Sequence, residues 1–325
     1  MHPVLLNLFG YPIHLYAVMI ATGFIGGVWL SARYGERVGL DRDMILDLCW
    51  WLLVAGLVGA RIGFIVTQFD QYYLPCVDVP RYNELYPDDP LTEPDCFRLL
   101  KFWNGGLVFL GGVVLALFAL VWFTRREGVK LLPVADALIP SLALGQFFGR
   151  LGCLAAGCCW GKVTEAPWAI HFPKGSMVHY LHAEAHLIPH SAVESMGVHP
   201  TQLYDAGAGL LIFGLLIWIR QRKTWHGQVF AWWLLLYPLA RSTIELFRGD
   251  DEERGFLFEV VSESLNEMLG LPPGSITFLS TSQFISLCLA AVAVYLILRH
   301  RKQGAANDPP SAPTSAPPTD EASAV

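Results

Sequence analysis

The chain has 325 residues, of which 54% are hydrophobic and 15% charged, with 11 Trp and a formal net charge of −6. Its mean hydropathy is +0.43. A soluble domain can reach that apolar fraction, but not with repeated uninterrupted runs of bilayer length, each about 20 residues for about 30 Å of hydrocarbon. The negative charge lies largely in the longer loops and the tail and gives no ground for a nucleic-acid partner.

Seven segments qualify as spans: 13–33, 44–67, 105–123, 131–150, 203–219, 228–247 and 276–298. The expected fold is therefore all-α, a polytopic seven-helix transmembrane bundle. The first apolar run lacks a basic leader and is too long for a signal core, so it reads as a span. If it runs from outside to inside, the short inner connections carry Arg33, Arg37 and Arg42, then Arg125, Arg126 and Lys130, then Arg220, Arg222 and Lys223, and finally Arg299, Arg301 and Lys302. The outer connections are longer and acidic, with scattered Arg81, Arg98, Lys101, Lys162, Lys174, Arg248 and Arg254. That asymmetry puts the amino terminus outside and the carboxyl terminus in the cytoplasm. The expected organisation is a membrane domain over 1–302 with an outer loop at 68–104. A small periplasmic head follows at about 151–202, between the fourth and fifth spans, and a disordered cytoplasmic tail at 303–325.

Cys49 and Cys288 fall in spans and read as packing residues. Cys76 and Cys96 share the first outer loop, where an oxidising compartment permits a disulfide. Cys153, Cys158 and Cys159 cluster beyond the fourth span.

Three arginines, Arg61, Arg150 and Arg241, lie inside or at the end of spans. A rise of about 1.5 Å per residue places all three in the outer third of the bilayer. Tyr16, at the start of the first span, and His199, just before the fifth, approach the same level. Tyr237, Arg241, Glu245 and Arg248 are spaced 4, 4 and 3, one stripe on a helix face. The stripe can be an internal ion pair that holds helices together, or an anion site. Arginine presents a planar fork that binds phosphate bidentately and stays charged. Phosphates at that depth belong to phospholipid headgroups, so a lipid-phosphate site fits better. Gly105, Gly106, Gly111 and Gly112 open the third span, and Gly145, Gly149 and Gly152 punctuate the fourth. Small residues there allow close helix approach or room for a headgroup.

In order, these stretches resemble the bacterial prolipoprotein diacylglyceryl transferases: HLY at 14–16, GARIGF at 59–64, WNGGLVFLGG at 103–112, GRLGCLAAGCCWGK at 149–162 and HPTQLYD at 199–205. Tyr237 with ARSTIELFRGD at 240–250 follows, and TSQFIS at 281–286 matches weakly. The resemblance implies transfer of the diacylglyceryl group of phosphatidylglycerol to the lipobox cysteine of exported preprolipoproteins, at the outer leaflet of the inner membrane. A thioether forms and glycerol phosphate leaves. It implies Arg150, Arg241, Tyr237 and Glu245 as the catalytic set. Tyr16, Arg61, Gly105, Gly106, His199, Gln202, Tyr204 and Arg248 would contact or position substrate. No cofactor and no metal ligand is expected among these. The pattern departs where the family usually carries a histidine, here Leu110, and where asparagines and an acid follow the Gly-Arg signature, here Cys153, Ala156 and Cys158. The general base then falls to His14, His199 or a thiol of the cysteine cluster. A catalytically altered paralogue acting as a phospholipid or lipoprotein scaffold, or a transporter, is the alternative.

His179, His182, His186 and His190 are spaced 3, 4 and 4 and would share a helical face. With the nearby cysteines they could hold zinc or copper, although Pro189 opposes a full helix and adjacent cysteines rarely supply two good ligands.

Overall fold

The computed structural model describes residues 4–8, 11–87, 89–97, 106–249, 256–272, 274 and 276–303. Gly105, Arg98, Lys101, Arg254 and the expected tail from 304 onward lie outside the described residues. In chain order the elements are β1 (Val4–Leu8), β2 (Tyr11–His14), α1 (Leu15–Glu36), α2 (Arg42–Thr67), α3 (Phe69–Val77), α4 (Val79–Leu85), α5 (Phe109–Arg126), α6 (Leu131–Ala156), α7 (Met177–Glu184), α8 (Thr201–Gln221), α9 (Gln228–Glu245), β3 (Phe256–Val261), α10 (Glu263–Leu269), β4 (Ile276–Ser280) and α11 (Thr281–Gln303).

Helices of 18 residues or more occur at each of the seven expected places. Six of them, α1, α2, α5, α6, α8 and α11, are long and apolar enough to cross a membrane. The seventh, α9, has 18 residues and carries Pro238, Arg241 and Glu245. Large apolar side chains point outward on the long helices, among them Ile25 (69% exposed), Phe118 (67%) and Leu211 (65%). Such faces are costly in water and suit hydrocarbon, where helices satisfy their own backbone. The molecule is a mostly helical, polytopic membrane protein.

The third and seventh expected spans start later than expected. The third span starts at Phe109, because the Val108 N–H donates across to the Ala60 carbonyl (2.9 Å) instead of along a helix. At the seventh expected span, residues 276–280 form β4, antiparallel to β3. Helix α11 begins after Ser280 with a reciprocal cap: the Gln283 N–H donates to Ser280 Oγ (3.2 Å) and the Ser280 N–H to Gln283 Oε1 (3.0 Å).

The chain divides into two compact units, Leu40–Val134 and the remainder, Met1–Gly39 with Ala135–Val325. In the first, α2 and α5 touch through glycines: a methyl on Gly59 or Gly111 would collide with the other's carbonyl oxygen. Cys76 and Cys96 form a disulfide, tying α3 to residues beyond α4, and Asn83 brackets Leu91 with two hydrogen bonds of 2.9 and 2.8 Å.

In the other unit α6 is central. It meets α1 through a Ser31–Ser141 hydroxyl bond of 2.8 Å and meets α8 where Gly209 lies on the backbone of Ala143 and Phe147. Ile139, Ala143, Ile212, Leu216 and Val229 form the core between α6, α8 and α9, and α11 packs on α9. Fully buried Asp136, on α6, anchors one end of this unit. Its carboxylate accepts from the Gly227 N–H (2.8 Å), the Phe230 N–H (3.0 Å) and Lys223 Nζ (3.2 Å). It thus places an anion at the amino terminus of α9, where unsatisfied N–H groups and the helix dipole favour one. Arg220 donates to the Asp136 carbonyl (3.1 Å) and the Tyr34 carbonyl (2.8 Å), with its guanidinium 4.0 Å from the Tyr34 ring centroid.

Asp136→Ala strands a half-buried ammonium and two N–H groups at the start of α9, a loss of about 3 kcal/mol. The expected outcome is a lower unfolding temperature in detergent, with Asp136→Asn recovering part of it; an unshifted transition in Asp136→Ala would show that α9 is anchored elsewhere.

Candidate functional site

Arg150 is two turns before the end of α6, which continues past the expected boundary to Ala156. Its Nε lies 3.1 Å from Asp205 Oδ2 on α8; the carboxylate is 3% exposed and the guanidinium 22%. Gln146, one turn before Arg150, donates from Nε2 to Asp205 Oδ1 (3.2 Å), so both carboxylate oxygens are engaged. On α9, Arg241 Nη2 is 2.6 Å from Glu245 Oε2, with side-chain exposures of 13% and 3%. The two form an ion pair, and Arg241 Nη1 is buried with no protein hydrogen-bond partner. Tyr237, one turn before Arg241 and stacked on Trp233 with centroids 5.2 Å apart, lies within electrostatic range of Arg241, Asp205, Arg150 and Glu245. All four charges thus act on one phenol.

Three segments far apart in sequence meet beside these pairs. The Gly161 N–H donates to the His199 carbonyl (3.0 Å) and the His199 N–H to the Lys162 carbonyl (3.0 Å). On the other edge the Lys162 N–H donates to the Phe247 carbonyl (2.8 Å) and the Gly249 N–H to the Trp160 carbonyl (3.2 Å). A Cβ on Gly161 would fall 2.5 Å from both the Cβ and the carbonyl oxygen of His199, so no other residue fits this junction. The junction also ends α9. The expected stripe from Tyr237 to Arg248 holds as far as Glu245; Arg248 lies beyond the helix, in an antiparallel bridge with Gly161. It remains near Arg150 in charge terms.

His199 precedes α8, and its Nδ1 is 3.1 Å from the Tyr204 hydroxyl. That oxygen accepts from Trp168 Nε1 (2.8 Å), leaving the phenol proton free to go to Nδ1 and the imidazole proton to sit on Nε2. Nε2 is buried with no protein partner. Burial, and then the charge of Lys162, hold the His199 pKa below the ordinary histidine value. Gln202, 1% exposed, donates to the Cys158 carbonyl (2.8 Å), and Thr201 Oγ1 to the Cys159 carbonyl (2.8 Å). Tyr16, the second residue of α1, packs against Gly152 and is within electrostatic range of Arg150 and the three nearby cysteines.

Arg61 and Gly106 belong to the other unit. There Arg61 Nη1 donates to the Gly106 carbonyl (3.2 Å), and its guanidinium is 5.0 Å from the Tyr72 ring centroid. Gly106 has φ +83 and lies against Phe64, a conformation and a closeness open to glycine. His14 caps α1 without a side-chain bond. The four histidines of 179–190 do not share a helix, since α7 stops at Glu184; His179 Nε2 is 3.0 Å from the Ala192 carbonyl oxygen.

The family model described as prolipoprotein diacylglyceryl transferase matches residues 3–299. The chain belongs to that family. It is 28% identical over 305 residues to the phosphatidylglycerol–prolipoprotein diacylglyceryl transferase of Clostridium tetani (strain Massachusetts / E88), covering 93% of this chain and 100% of the relative. It is 34% identical over 246 residues to that of Corynebacterium efficiens, covering 74% and 69%, and 30% identical over 258 residues to that of Nitratidesulfovibrio vulgaris (strain DP4), covering 78% and 84%.

Asp205 and Gln146 are the members of this cluster that sequence reasoning passed over. Asp205 closes the HPTQLYD motif, and its i,i+3 relation to Gln202 puts both on one face of α8; its partner on α6 is not visible from spacing. Gln146, one turn before Arg150, was legible as a polar residue in an apolar run.

His182, like His199, is held below the ordinary histidine pKa, by burial and by His179. The unfolded chain therefore binds more protons than the folded one between the folded values and about 6.5. Stability of the detergent-solubilised protein should be full above that value and fall as pH drops through it. His199→Gln should flatten the pH dependence of the unfolding temperature; an unchanged slope would mean that His199 titrates alike in the folded and unfolded chain.

Proposed function

We propose that the chain transfers the diacylglyceryl group of phosphatidylglycerol to the lipobox cysteine thiol of preprolipoproteins, in the bacterial inner membrane and at its outer leaflet. Glycerol phosphate leaves and a thioether remains. In this reading the amino terminus is periplasmic, the carboxyl terminus is cytoplasmic, and residues 303–325 form the cytoplasmic tail. One observation carries it: two largely buried guanidiniums, each oriented by its own carboxylate, both lie within electrostatic range of Tyr237, and one of their donors, Arg241 Nη1, has no protein partner. Donors fixed in advance in a water-poor site are what a departing phosphate needs, because they stabilise its developing charge without reorganising. Asp205 and Glu245 act as positioning residues. Arg150 and Arg241 hold the lipid phosphate, and Tyr237 lines the site. Tyr16, Arg61, Gly105, Gly106 and Arg248 contact substrate, while His199, Gln202 and Tyr204 fix the start of α8. Family membership and the names of the relatives support the same reaction.

Purified protein, phosphatidylglycerol and a lipobox peptide should yield the diacylglyceryl thioether. Arg241→Ala and Arg150→Ala should each lower the rate about a hundredfold or more, with folding checked by the unfolding temperature. Full activity in either variant would rule out this phosphate site.

A further inference from the structure

The thiols of Cys153, Cys158 and Cys159 have no part in the reading above, yet their sulfur atoms all lie within 4.8 Å of one another. All three are half-buried and free of disulfides. Adjacent cysteines seldom aim at one point, and the loop shows how these do. Gly157 (φ +72) and Cys159 (φ +59) are both left-handed, a conformation that costs a non-glycine residue about 1 kcal/mol or more. It folds the chain so that Cys158 and Cys159 turn back on Cys153 at the end of α6. Three bonds secure the fold: the Cys158 N–H to the Cys153 carbonyl (3.1 Å), and Gln202 and Thr201 of α8 to the carbonyls of Cys158 and Cys159. A strained residue braced by buried side chains marks a site rather than packing.

Three thiolates are a zinc donor set. Tetrahedral Zn–S bonds of about 2.3 Å put sulfurs about 3.8 Å apart, so the present spacing, within 4.8 Å, needs to contract by about one ångström at most. Zinc with three thiolates carries one net negative charge. Arg150, three residues before Cys153 on the same helical face, and Arg248 are placed to offset it.

We propose that Cys153, Cys158 and Cys159 bind one Zn²⁺ whose fourth position takes the acceptor cysteine of the protein substrate. This rests on the transferase reading. On binding, the acceptor thiol gives its proton to solvent, as thiols do on divalent zinc. Its sulfur attacks the glyceryl carbon of phosphatidylglycerol and forms the C–S bond. The C–O bond to phosphate breaks, and its electron pair leaves on the phosphate oxygen toward the arginines. The thioether is a weaker ligand than the thiolate, so product departs; nothing is oxidised or reduced. The acceptor is thus activated in a chain that has Leu110 where the family usually has a histidine.

The test uses the full-length chain in detergent, stripped with a chelator and titrated with Co²⁺, whose thiolate charge-transfer band reports sulfur ligation, and with Zn²⁺ in competition. One ion per chain is expected. Cys153→Ser and Cys159→Ser should each weaken binding at least about tenfold while still folding, and Cys288→Ser should not. A lipobox peptide should strengthen the band, and its serine analogue should not. A chain that transfers at full rate without bound metal overturns the proposal and leaves the transferase reading standing, as does ion binding indifferent to the serine variants. A Cys153 disulfide to either neighbour in freshly isolated protein also overturns it. A one-to-one ion lost in the serine variants, in a chain that binds lipid but never transfers, sustains the zinc site and defeats the transferase reading.

Discussion

Everything near the site follows from the cost of holding guanidinium inside an apolar bundle. Arginine does not deprotonate to escape burial, so the fold supplies a carboxylate for both Arg150 and Arg241. Asp205 and Glu245, both 3% exposed, do so by different routes, one across two helices and one within a single turn. The surplus donor that remains on Arg241 is then useful because its own charge is already balanced. In the proposed reading, a substrate phosphate would add to a compensated pair instead of rescuing an orphan.

The junction of residues 160–162 with 198–199 and 247–249 gives this chemistry its rigidity. Ends of helices fray, and Arg150, His199 and Arg248 all lie near such ends. Backbone bonds on both edges of residues 160–162 tie three separate ends into one hydrogen-bonded junction. Glycine at 161 and 249 lets the backbones approach closely enough for that to form. At the opposite end of the same unit, Asp136 performs a comparable service with one carboxylate, joining α6 to the start of α9.

Helix number, the buried arginines and the Tyr237–Arg241–Glu245 stripe were legible because hydropathy and a 3.6-residue period are local signals. The departures have one common cause: long-range backbone pairing overrode local preference. Residues 276–280 read as span but pair with β3, and Arg248 reads as helix but pairs with Gly161. Asp205 and Asp136 were missed as partners for a related reason, since an isolated carboxylate announces no counter-ion 50 or more residues away. The cysteines were visible as a cluster, but their convergence depends on a left-handed Cys159, and nothing in the sequence marks a non-glycine residue for that conformation.

The two ion pairs also differ in when they can form during synthesis. Arg241 and Glu245 share one helix, so α9 can enter the bilayer with its charges already matched. Arg150 enters on α6 while Asp205 is still unmade, and an unpaired arginine costs about 3 kcal/mol at mid-membrane and less toward the interface. Its position two turns from the helix end allows it to reach up to headgroups and water until α8 arrives. Arg150 therefore meets its carboxylate only once α8 has been made, whereas Arg241 brings its own.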